Sequence, residues 1–415
     1  MKKNYNLLLV NPWIYDFTAY DFWSKPLGLL YIASILREQG YEISYIDCMD
    51  RYNREILKLK NKEFPKKDEF GRGPFYKEEV KKPAILKNIP RRYGRYGITE
   101  EIFLNKLKKL PSPQAVLITS IMTYWYPGVF RAIEIIKEIF PDIPIILGGV
   151  YAALCFEHAF KFSGADYVIK GNSIRNLLKI LEQYNGSIDD YSKYEKGLDN
   201  LPYPAWDLYL VLDYISILSS RGCPYHCSYC ASFKINPRLE FRNPEEVVKE
   251  IEYWNKRRGI KDFIFYDDAL LINSEDNFLV VLEELINEKL AIRLHAPNGI
   301  HARMINKEIA YKMYQAGVET IRLGFETVDP RVQSKTGGKI TNIEFKKAVN
   351  YLLEAGFKRS QIGAYLLIGL PGQNLQEIVD SIRVDPLFHN DALLPYLSPD
   401  ITIKAYQQIK SIAKI

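Results

Sequence analysis

The sequence predicts an α/β protein in which a doubly wound parallel sheet is followed by a full or partial (β/α) barrel. Short apolar runs alternate with segments of helical periodicity up to residue 184, and the alternation resumes after residue 213. The stretch between these two parts is polar and rich in turn-forming residues. We therefore expect domains at 1–185 and 213–383, a linker at 186–212 and a tail at 384–415.

The first domain is expected to contain five strands with helices between them. The predicted strands cover 6–11, 42–46, 115–119, 144–147 and 165–169. The predicted helices cover 26–39, 99–109, 128–139 and 173–184. This pattern is typical of a Rossmann-like sheet, which binds ligands beyond the carboxyl ends of its strands, so we expect a cofactor there.

The second domain is expected to be another βα array with its own core. Its predicted strands cover 215–219, 262–266, 293–296, 320–324 and 361–368. Its predicted helices cover 244–257, 275–288, 307–316 and 342–354. The regular alternation favours a barrel over a second open sheet.

Composition and charge exclude several classes of protein. The chain has 415 residues, of which 47% are hydrophobic and 26% charged, so it is neither disordered nor a coiled coil. Residues 51–95 carry 15 lysines and arginines against 6 aspartates and glutamates. We interpret this basic insertion at 51–97 as a surface segment, or as a lid or docking surface for an acidic substrate or partner. No nucleic-acid-binding module, signal peptide or membrane span is recognisable, so we expect a cytoplasmic protein without nucleic-acid or membrane partners.

Three of the five cysteines lie within eight residues, in a segment from Ser220 to Cys230 that reads SRGCPYHCSYC. Thiolates at spacings of four and three residues suit an iron–sulfur cluster, and three of them leave one iron open to a substrate or cofactor. The odd number of cysteines argues against a disulfide framework. A structural zinc site is the alternative, and it would need a fourth ligand such as His226, His295 or His301.

This C-x3-C-x2-C loop, in which Tyr229 precedes the last cysteine, closely resembles that of the radical S-adenosylmethionine (SAM) superfamily. The resemblance implies that Cys223, Cys227 and Cys230 hold a 4Fe-4S cluster whose fourth iron binds SAM. It also implies that one electron cleaves SAM to methionine and a 5′-deoxyadenosyl radical, which abstracts a hydrogen atom from a substrate. Tyr229 is expected to help position SAM.

Polar residues after the later strands resemble the SAM-binding positions of the same superfamily. The resemblance implies that Asp267 or Asp268 meets the SAM amino group, and that Asn298 and Glu326 meet ribose or methionine groups. Gly369 belongs to a Gly-Leu-Pro-Gly segment similar to the one whose backbone lies along adenine. The alternatives are helix capping for the aspartates, structural hydrogen bonding for Asn298 and Glu326, and a tight turn for the glycine.

Segments 7–12 and 25–33, together with Gly148-Gly149 after a strand, are similar to those of the cobalamin-binding domain that precedes many radical SAM barrels. The similarity implies that Ser120, Gly148 and Gly149 line the corrin and its nucleotide loop. The D-x-H-x-x-G element that supplies an axial histidine to cobalt is missing, because the first strand ends in the sequence NPW. The alternative is an inherited sheet that binds no cobalamin.

The end of the chain departs from the superfamily pattern. A sixth barrel strand is expected after the helix at 375–383, but residues 384–390 lead directly into a closing tail. We therefore expect a partial TIM-type barrel that lacks its last strand and has an open sheet edge.

These resemblances imply a radical SAM enzyme, with cobalamin-dependent methyl transfer to an unactivated carbon as the specific expectation. The alternatives are a cobalamin-independent radical SAM enzyme that catalyses a rearrangement or oxidation, and an inactive iron–sulfur-binding protein. We expect the substrate to be a small molecule or peptide and the reductant to be a protein of the flavodoxin or ferredoxin type.

Overall fold

The computed structural model describes residues 5–171, 173–185, 191–370 and 373–383. Contacts within the chain divide it into two compact units, Met1–Asp213 and Tyr214–Ile415. Each unit is built on one five-stranded parallel sheet, and the ten strands of these sheets are labelled β1 to β10 along the chain.

The sheet of the first unit has the strand order β5-β4-β3-β1-β2. Its strands are β1 (Asn6–Asn11), β2 (Glu42–Asp47), β3 (Ala115–Ile118), β4 (Ile145–Leu147) and β5 (Tyr167–Val168). Leu7 and Leu9 of β1 pack on one face of the sheet, and Leu8 and Val10 pack on the other. Burial on both faces explains why this strand is a continuous apolar run. The chain order reverses between β1 and β3, and such a switch point is where open α/β sheets bind ligands.

Helices cover both faces of the first sheet. They are Leu27–Glu38, Arg54–Leu59, Glu100–Lys109, Tyr126–Ile139, Gly149–Leu154, Phe156–Phe162 and Ile174–Asn185. Short 3-10 turns cover Ala84–Leu86, Thr123–Trp125, Ser192–Glu195, Leu198–Asn200 and Trp206–Leu208. Thr99 caps the third helix, since its hydroxyl accepts a hydrogen bond from the N–H of Ile102.

The basic insertion is held to the first unit by strand pairing and ion pairs. The antiparallel pairings join Ile14–Asp16 and Lys77–Glu79 to Gly94–Tyr96, and Tyr20–Asp21 to Gly73–Pro74. The buried guanidinium of Arg51 lies 2.9 Å from the carboxylate of Asp21. Asp213 accepts hydrogen bonds from the Tyr52 hydroxyl at 2.8 Å and from the Lys67 ammonium at 2.5 Å. These contacts therefore hold the insertion against the rest of the first unit at several points.

The second sheet runs in chain order from β6 to β10, and all of its neighbours are parallel. The strands are β6 (Tyr214–Ile217), β7 (Asp262–Phe265), β8 (Arg293–Ile300), β9 (Val318–Glu326) and β10 (Ile362–Leu366). A separate two-stranded pairing joins Ser220–Arg221 to Glu240–Phe241. Strands that follow each other in space as they do in sequence are those of an open (β/α) barrel.

Helices alternate with the strands of the second sheet. They are Ser232–Ile235, Pro244–Arg258, Phe278–Glu288, Lys307–Gln315, Pro330–Lys335, Asn342–Ala355 and Leu375–Arg383. Short 3-10 turns cover Ser274–Asp276, Ala302–Met304 and Arg359–Gln361. The predicted alternation of strands and helices is confirmed in both units.

The prediction that the sixth barrel strand is missing rests on residues 384–397, which lie outside the described residues. Up to residue 383, the second sheet ends with β10. In the described ranges, every helix is too short or too polar to cross a bilayer.

Candidate cofactor sites at the carboxyl ends of the strands

The three clustered cysteines lie in a loop that follows the first strand of the second sheet. The loop begins after the paired strand Ser220–Arg221 and ends at the helix Ser232–Ile235. Gly222 has a φ of +93°, and a Cβ atom there would lie 2.2 Å from the carbonyl oxygen of Arg238. Only glycine fits this position, so the backbone conformation at the start of the loop is fixed.

Each of the three cysteine sulfurs has a hydrogen-bond donor beside it. The pairs are the Tyr225 N–H with Cys223, the Tyr229 hydroxyl with Cys227, and the Ser232 N–H with Cys230. Donors directed at sulfur stabilise thiolates and tune iron–sulfur clusters, so these residues fit a cluster held by three cysteines. In the part of the chain that is described, no three His, Cys, Asp or Glu side chains are placed to hold a single metal ion. A cubane cluster needs no such convergence, because its cysteines bind different irons.

Asp267 follows β7 and braces the start of the cysteine loop. Its buried carboxylate accepts hydrogen bonds from the hydroxyls of Ser219 and Ser220, each at 2.6 Å. Burial raises the pKa of this carboxyl more than these hydrogen bonds lower it. The next helical segments are preceded by Asn273 and Asn277, so Asp267 does not cap them.

Asp268 ties the two ends of the cysteine loop together. One carboxylate oxygen accepts from the Gly222 N–H and from the Asn236 side-chain amide, both at 3.0 Å. The other oxygen accepts from the Ser232 hydroxyl at 2.9 Å. Because these donors flank the three cysteines, one carboxylate fixes the span that carries the sulfurs. A contact of either aspartate with SAM stays a prediction.

Asn298 and Gly369 lie at the same edge of the second sheet. The side-chain amide of Asn298, on β8, donates to the carbonyl oxygens of Tyr266 at 3.0 Å and Asp267 at 3.2 Å. Gly369 follows β10 with a φ of +98°, and its N–H donates to the side chain of Gln373 at 2.8 Å. Both positions therefore lie at the edge of the sheet that also carries the aspartates after β7. Their roles toward SAM stay predictions.

Glu326 ends β9 with its backbone in the left-handed region. Its φ is +70°, which is rare for a residue with a Cβ, and the pairing of β9 with β10 shifts register at this point. Its carboxylate lies 3.6 Å from the Lys339 ammonium and contacts the Tyr229 hydroxyl. Burial raises the pKa of both Glu326 and Tyr229. The structure thus joins Tyr229, Glu326 and Lys339 beside Cys227.

Lys339 is the charged member of this site that the sequence reasoning missed. It follows Gly337-Gly338, and a Cβ at Gly337 would lie 3.1 Å from the Cα of Cys227. The N–H of Ser228 donates to the carbonyl of Thr336 at 3.1 Å, so the two loops pack together. Two adjacent glycines before a lysine were the available sequence signal, because such a pair marks a close backbone approach.

The histidines that could complete a zinc site have other surroundings. His295 is fully buried, and its ring nitrogens contact Thr320 at 3.0 Å and Asp262 at 2.9 Å, so it has no nitrogen left for a metal. His226 is exposed. The Nε2 of His301 lies 4.0 Å from the sulfur of Cys223, but among the described residues this pair has no third His, Cys, Asp or Glu placed to hold one zinc ion with it.

The first unit has a second candidate site at the switch point between β1 and β3. A small recess there, of about 10 Å³, is lined by Asn11 and Pro12 at the end of β1 and by Ser120 and Ile121 after β3. Ser120 is buried, and its hydroxyl donates to the carbonyl of Met122 at 2.8 Å. The predicted serine therefore lies at the edge where a doubly wound sheet binds ligands.

The two glycines after β4 differ in what the fold requires of them. Gly149 has a φ of +86°, and a Cβ there would lie 2.6 Å from both the Ser120 carbonyl oxygen and the Thr119 hydroxyl. Gly148 has a φ of −130°, and a Cβ there would meet nothing within 4 Å. The fold thus requires glycine at 149, whereas the backbone at Gly148 borders open space that a ligand can approach.

The polar side chains at the end of β1 and just after it form hydrogen bonds within the fold. The Asn11 amide donates to Asp47 at 2.7 Å, and the buried Trp13 indole donates to the Ile98 carbonyl at 2.6 Å. The first histidine of the chain, His158, lies in the helix after β4, and its ring nitrogen contacts the Tyr151 hydroxyl at 2.5 Å. This edge therefore presents no histidine from the loop after β1.

A family model and several known proteins resemble this chain. Residues 217–384 match the model of the Radical SAM superfamily. An uncharacterized methyltransferase of Pyrococcus horikoshii is 23% identical over 317 residues, which cover 69% of this chain and 68% of the relative. The cytidylyl-2-hydroxyethylphosphonate methyltransferase of Streptomyces wedmorensis is 20% identical over 416 residues, which cover 85% of this chain and 71% of the relative.

A solved structure has the same fold. The radical SAM methyltransferase TsrM from Kitasatospora setae, with cobalamin and a [4Fe-4S] cluster bound, matches with a TM-score of 0.63 at 16% identity. The match covers 92% of this chain and 70% of TsrM. The predicted fold class, a doubly wound domain of the cobalamin-binding type followed by a radical SAM barrel, is confirmed.

The family match also confirms that the second unit carries a radical SAM domain, as the cysteine spacing predicted. Residues 217–384 thus form a radical SAM domain, which implies a [4Fe-4S] cluster and SAM as cofactors. Enzymes with this domain generally need an external reductant, and the similarity to methyltransferases supports an enzymatic function. The roles of individual residues stay predictions.

Proposed function

We propose that this protein is a cobalamin-dependent radical SAM methyltransferase that acts on a small molecule or peptide. The observation that carries the proposal is a pair of strand-end sites on one chain. One is a braced three-cysteine loop, and the other is a switch-point edge with a recess at the ends of β1 and β3 and an open glycine after β4. The similarity to proteins named as methyltransferases supports the reaction type. When bound, the cluster supplies the electron that cleaves SAM, and cobalamin supplies the cobalt that relays a methyl group.

The cysteine loop is proposed to adopt the conformation that binds the cluster before the cluster arrives. Cys223, Cys227 and Cys230 supply the thiolates, and the hydrogen bonds of Asp267 and Asp268 keep the loop ends in place. A ligand loop fixed before the cluster arrives loses less conformational entropy on binding than a mobile one.

The neighbouring strand ends are proposed to bind SAM. Glu326 and Lys339 present an anion and a cation 3.6 Å apart, with side-chain exposures of 11% and 14%. This pair is complementary to the ammonium and carboxylate groups of the methionine part of SAM. Such contacts are stronger where water is excluded. Asn298 and Gly369 share this edge and are proposed to contact the ribose and the adenine.

The switch point of the first unit is proposed to bind the corrin. Gly148 leaves its backbone accessible to a large planar ligand, and Ser120 lies on the adjacent strand end. Met122 and Tyr124 follow the same strand and are 36% and 38% exposed, which supplies apolar surface for a macrocycle. The proposed binding uses shape and backbone approach, with no axial histidine from the loop after β1.

A cobalamin-independent radical SAM enzyme is the second candidate, and a specific observation favours it. Asn11 ends β1 and Trp13 follows it, and the polar groups of both side chains are hydrogen-bonded within the fold. In this case the first unit would bind no corrin, and the reaction would be a rearrangement or oxidation.

We further propose a flavodoxin- or ferredoxin-type reductant and a cytoplasmic location. The need of a radical SAM domain for an external electron supports the first proposal. Replacing dithionite with a flavodoxin and its reductase in the SAM cleavage assay tests the reductant, and immunodetection in cell fractions tests the location.

The test of the proposed function combines cofactor binding with methyl transfer. The protein is reconstituted anaerobically with iron, sulfide and hydroxocobalamin, and then given reductant and SAM labelled at its methyl group. We expect bound corrin, label in the corrin fraction and release of S-adenosylhomocysteine. A reconstituted protein with an intact cluster and no corrin would contradict methyl transfer by cobalamin and favour the second candidate.

A matched pair of variants locates the corrin. Gly148→Phe fills the open space after β4, so corrin binding should fall at least tenfold. Asp142→Phe places the same side chain at an exposed position before β4 and should leave binding unchanged. Equal corrin binding in both variants would move the site away from this edge.

A further inference from the structure

His301 is a buried histidine next to the cysteine loop that the proposed function does not use. It follows β8, and 2% of its surface is exposed. Its ring stacks on that of Tyr225, with centroids 4.8 Å apart and planes inclined by 22°. Stacking against a residue of the cysteine loop fixes the plane of the imidazole.

The polar atoms of this imidazole have few partners in the fold. Nδ1 is buried and has no hydrogen-bond partner among the described residues. The hydrogen-bond contact of Nε2 is with the sulfur of Cys223, at 4.0 Å. His295, on β8 itself, instead has a partner for each ring nitrogen.

The fold thus satisfies both ring nitrogens of His295, whereas the Nε2 of His301 has a cysteine sulfur as its neighbour. Buried polar groups in native proteins are almost always hydrogen-bonded, because an unpaired N–H loses its interaction with water and gains nothing. The sulfur of Cys223 is the acceptor within reach of His301. A neutral thiol accepts weakly, whereas a thiolate bound to iron accepts strongly.

We propose that His301 is a positioning residue that donates its Nε2–H to the thiolate of Cys223 and thereby raises the reduction potential of the cluster. The inference rests on the proposed ligation of the cluster by Cys223. A donor bound to a cluster sulfur stabilises the reduced cluster more than the oxidised one, because the reduced cluster carries one more negative charge. The N–H of Tyr225 already serves the same sulfur from the backbone.

The experiment is a reductive titration of the reconstituted full-length protein, monitored by electron paramagnetic resonance (EPR). His301→Leu removes the donor and should shift the reduction equilibrium about tenfold toward the oxidised cluster, about 59 mV for one electron. His301→Gln retains an N–H donor and should restore at least half of this shift. His226→Leu is the matched control, because this histidine is exposed beside another cluster cysteine and should leave the potential unchanged.

A wild-type potential in His301→Leu with an intact cluster would overturn the inference. A shift that Gln does not restore would overturn it too, because packing alone would then explain the effect.

A second measurement needs no variant at position 301. In His226→Leu protein labelled with 15N-histidine, pulsed EPR of the reduced cluster should show a weak hyperfine coupling to one histidine nitrogen. The absence of this coupling would overturn the inference while leaving the proposed function standing. A wild-type protein that binds no iron or sulfide would contradict both.

Discussion

The two strand-end sites of this molecule are held by different kinds of interaction. In the second unit, the carboxylates of Asp267 and Asp268 accept hydrogen bonds from residues at the ends of the cysteine loop. Glu326 forms an ion pair with Lys339 nearby. In the first unit, the edge around Gly148 consists of backbone, a hydroxyl and apolar surface. One site is built from directional hydrogen bonds to carboxylates and an ion pair, and the other from shape.

This difference matches the ligands proposed for the two sites. A small charged cluster has to be fixed at particular sulfur positions, and charge-assisted hydrogen bonds supply that fixation. A large macrocycle offers a wide surface, which a concave edge with accessible backbone can bind without ionic contacts. Substitutions in the second unit should therefore act by breaking bonds, and those in the first by filling space.

Removal of a cluster ligand should have the largest effect. Cys230→Ala takes away one of three thiolates, so iron should fall from about four atoms per chain to below one, and SAM cleavage should be lost. Iron and sulfide analysis after anaerobic reconstitution measures this. Cys155→Ala, a partly exposed free cysteine in the first unit, is the control and should retain the cluster. Full iron content in Cys230→Ala would remove this residue from the ligand set.

Removal of the Asp268 carboxylate, which binds both ends of the cysteine loop, should have the next largest effect. Asp268→Ala leaves the Gly222 N–H and the Ser232 hydroxyl without their acceptor, and it should cost the second unit about 3 kcal/mol. Reconstituted iron should fall at least twofold, because the loop ends are no longer tied. Asp276→Ala, at an exposed aspartate in the same connection, should change neither quantity. Wild-type iron content in Asp268→Ala would show that the loop is held in other ways.

The adjacent glycines of the first unit should respond differently to one methyl group. Gly149→Ala forces a Cβ into the left-handed region and against the Ser120 carbonyl, so it should cost about 2 kcal/mol of unfolding free energy. Gly148→Ala meets open space and should change stability by less than about 0.5 kcal/mol. Urea denaturation of the two variants measures the difference. Equal losses of unfolding free energy in the two variants would contradict the claim that the fold requires glycine at 149 but not at 148.

The smallest expected effect concerns pH. Burial raises the pKa of Asp262, but hydrogen bonds from His295 and Arg293 outweigh it and bring the pKa below its ordinary value of 3.8. The unfolded state then takes up the proton at a higher pH than the folded state. This carboxylate therefore stabilises the fold above about pH 4 and loses that contribution as the pH falls through the lowered value.

Asp262→Asn tests this contribution in the apoprotein. At pH 7 the variant should be less stable than the wild type by about 1 kcal/mol, and the gap should narrow as the pH falls below 4. Asp276→Asn serves as the exposed control and should show no such gap. Urea denaturation from pH 3 to 7 measures both, and a gap that widens toward low pH would contradict the assigned sign.

The central elements of the fold could be predicted because their signals are local. The run at 6–11 is the strand Asn6–Asn11, and the helix predicted at 99–109 is Glu100–Lys109. Pairings distant in sequence could not be predicted. The turn-rich composition of 186–212 predicted a linker, yet Trp206 is fully buried and Tyr209 donates to Asp47 at 2.6 Å.

The same division holds for the candidate sites. The proposed ligation of the cluster depends on cysteine spacing within one loop, so it could be predicted from the sequence. The bracing by Asp268 depends on donors that are 32 to 46 residues away, and no sequence pattern encodes such a contact. Lys339 approaches Glu326 only because two glycines let its loop pack on the cysteine loop. Three-dimensional contacts of this kind decide which strand-end polar residues belong to the site.

One measurement tests the central claim that three cysteines hold a cluster with an iron open to SAM. The reduced, reconstituted protein is examined by EPR before and after the addition of SAM. We expect a [4Fe-4S] signal whose g values and line shape change when SAM binds the open iron. A signal that SAM leaves unchanged, or zinc in place of iron, would contradict the claim.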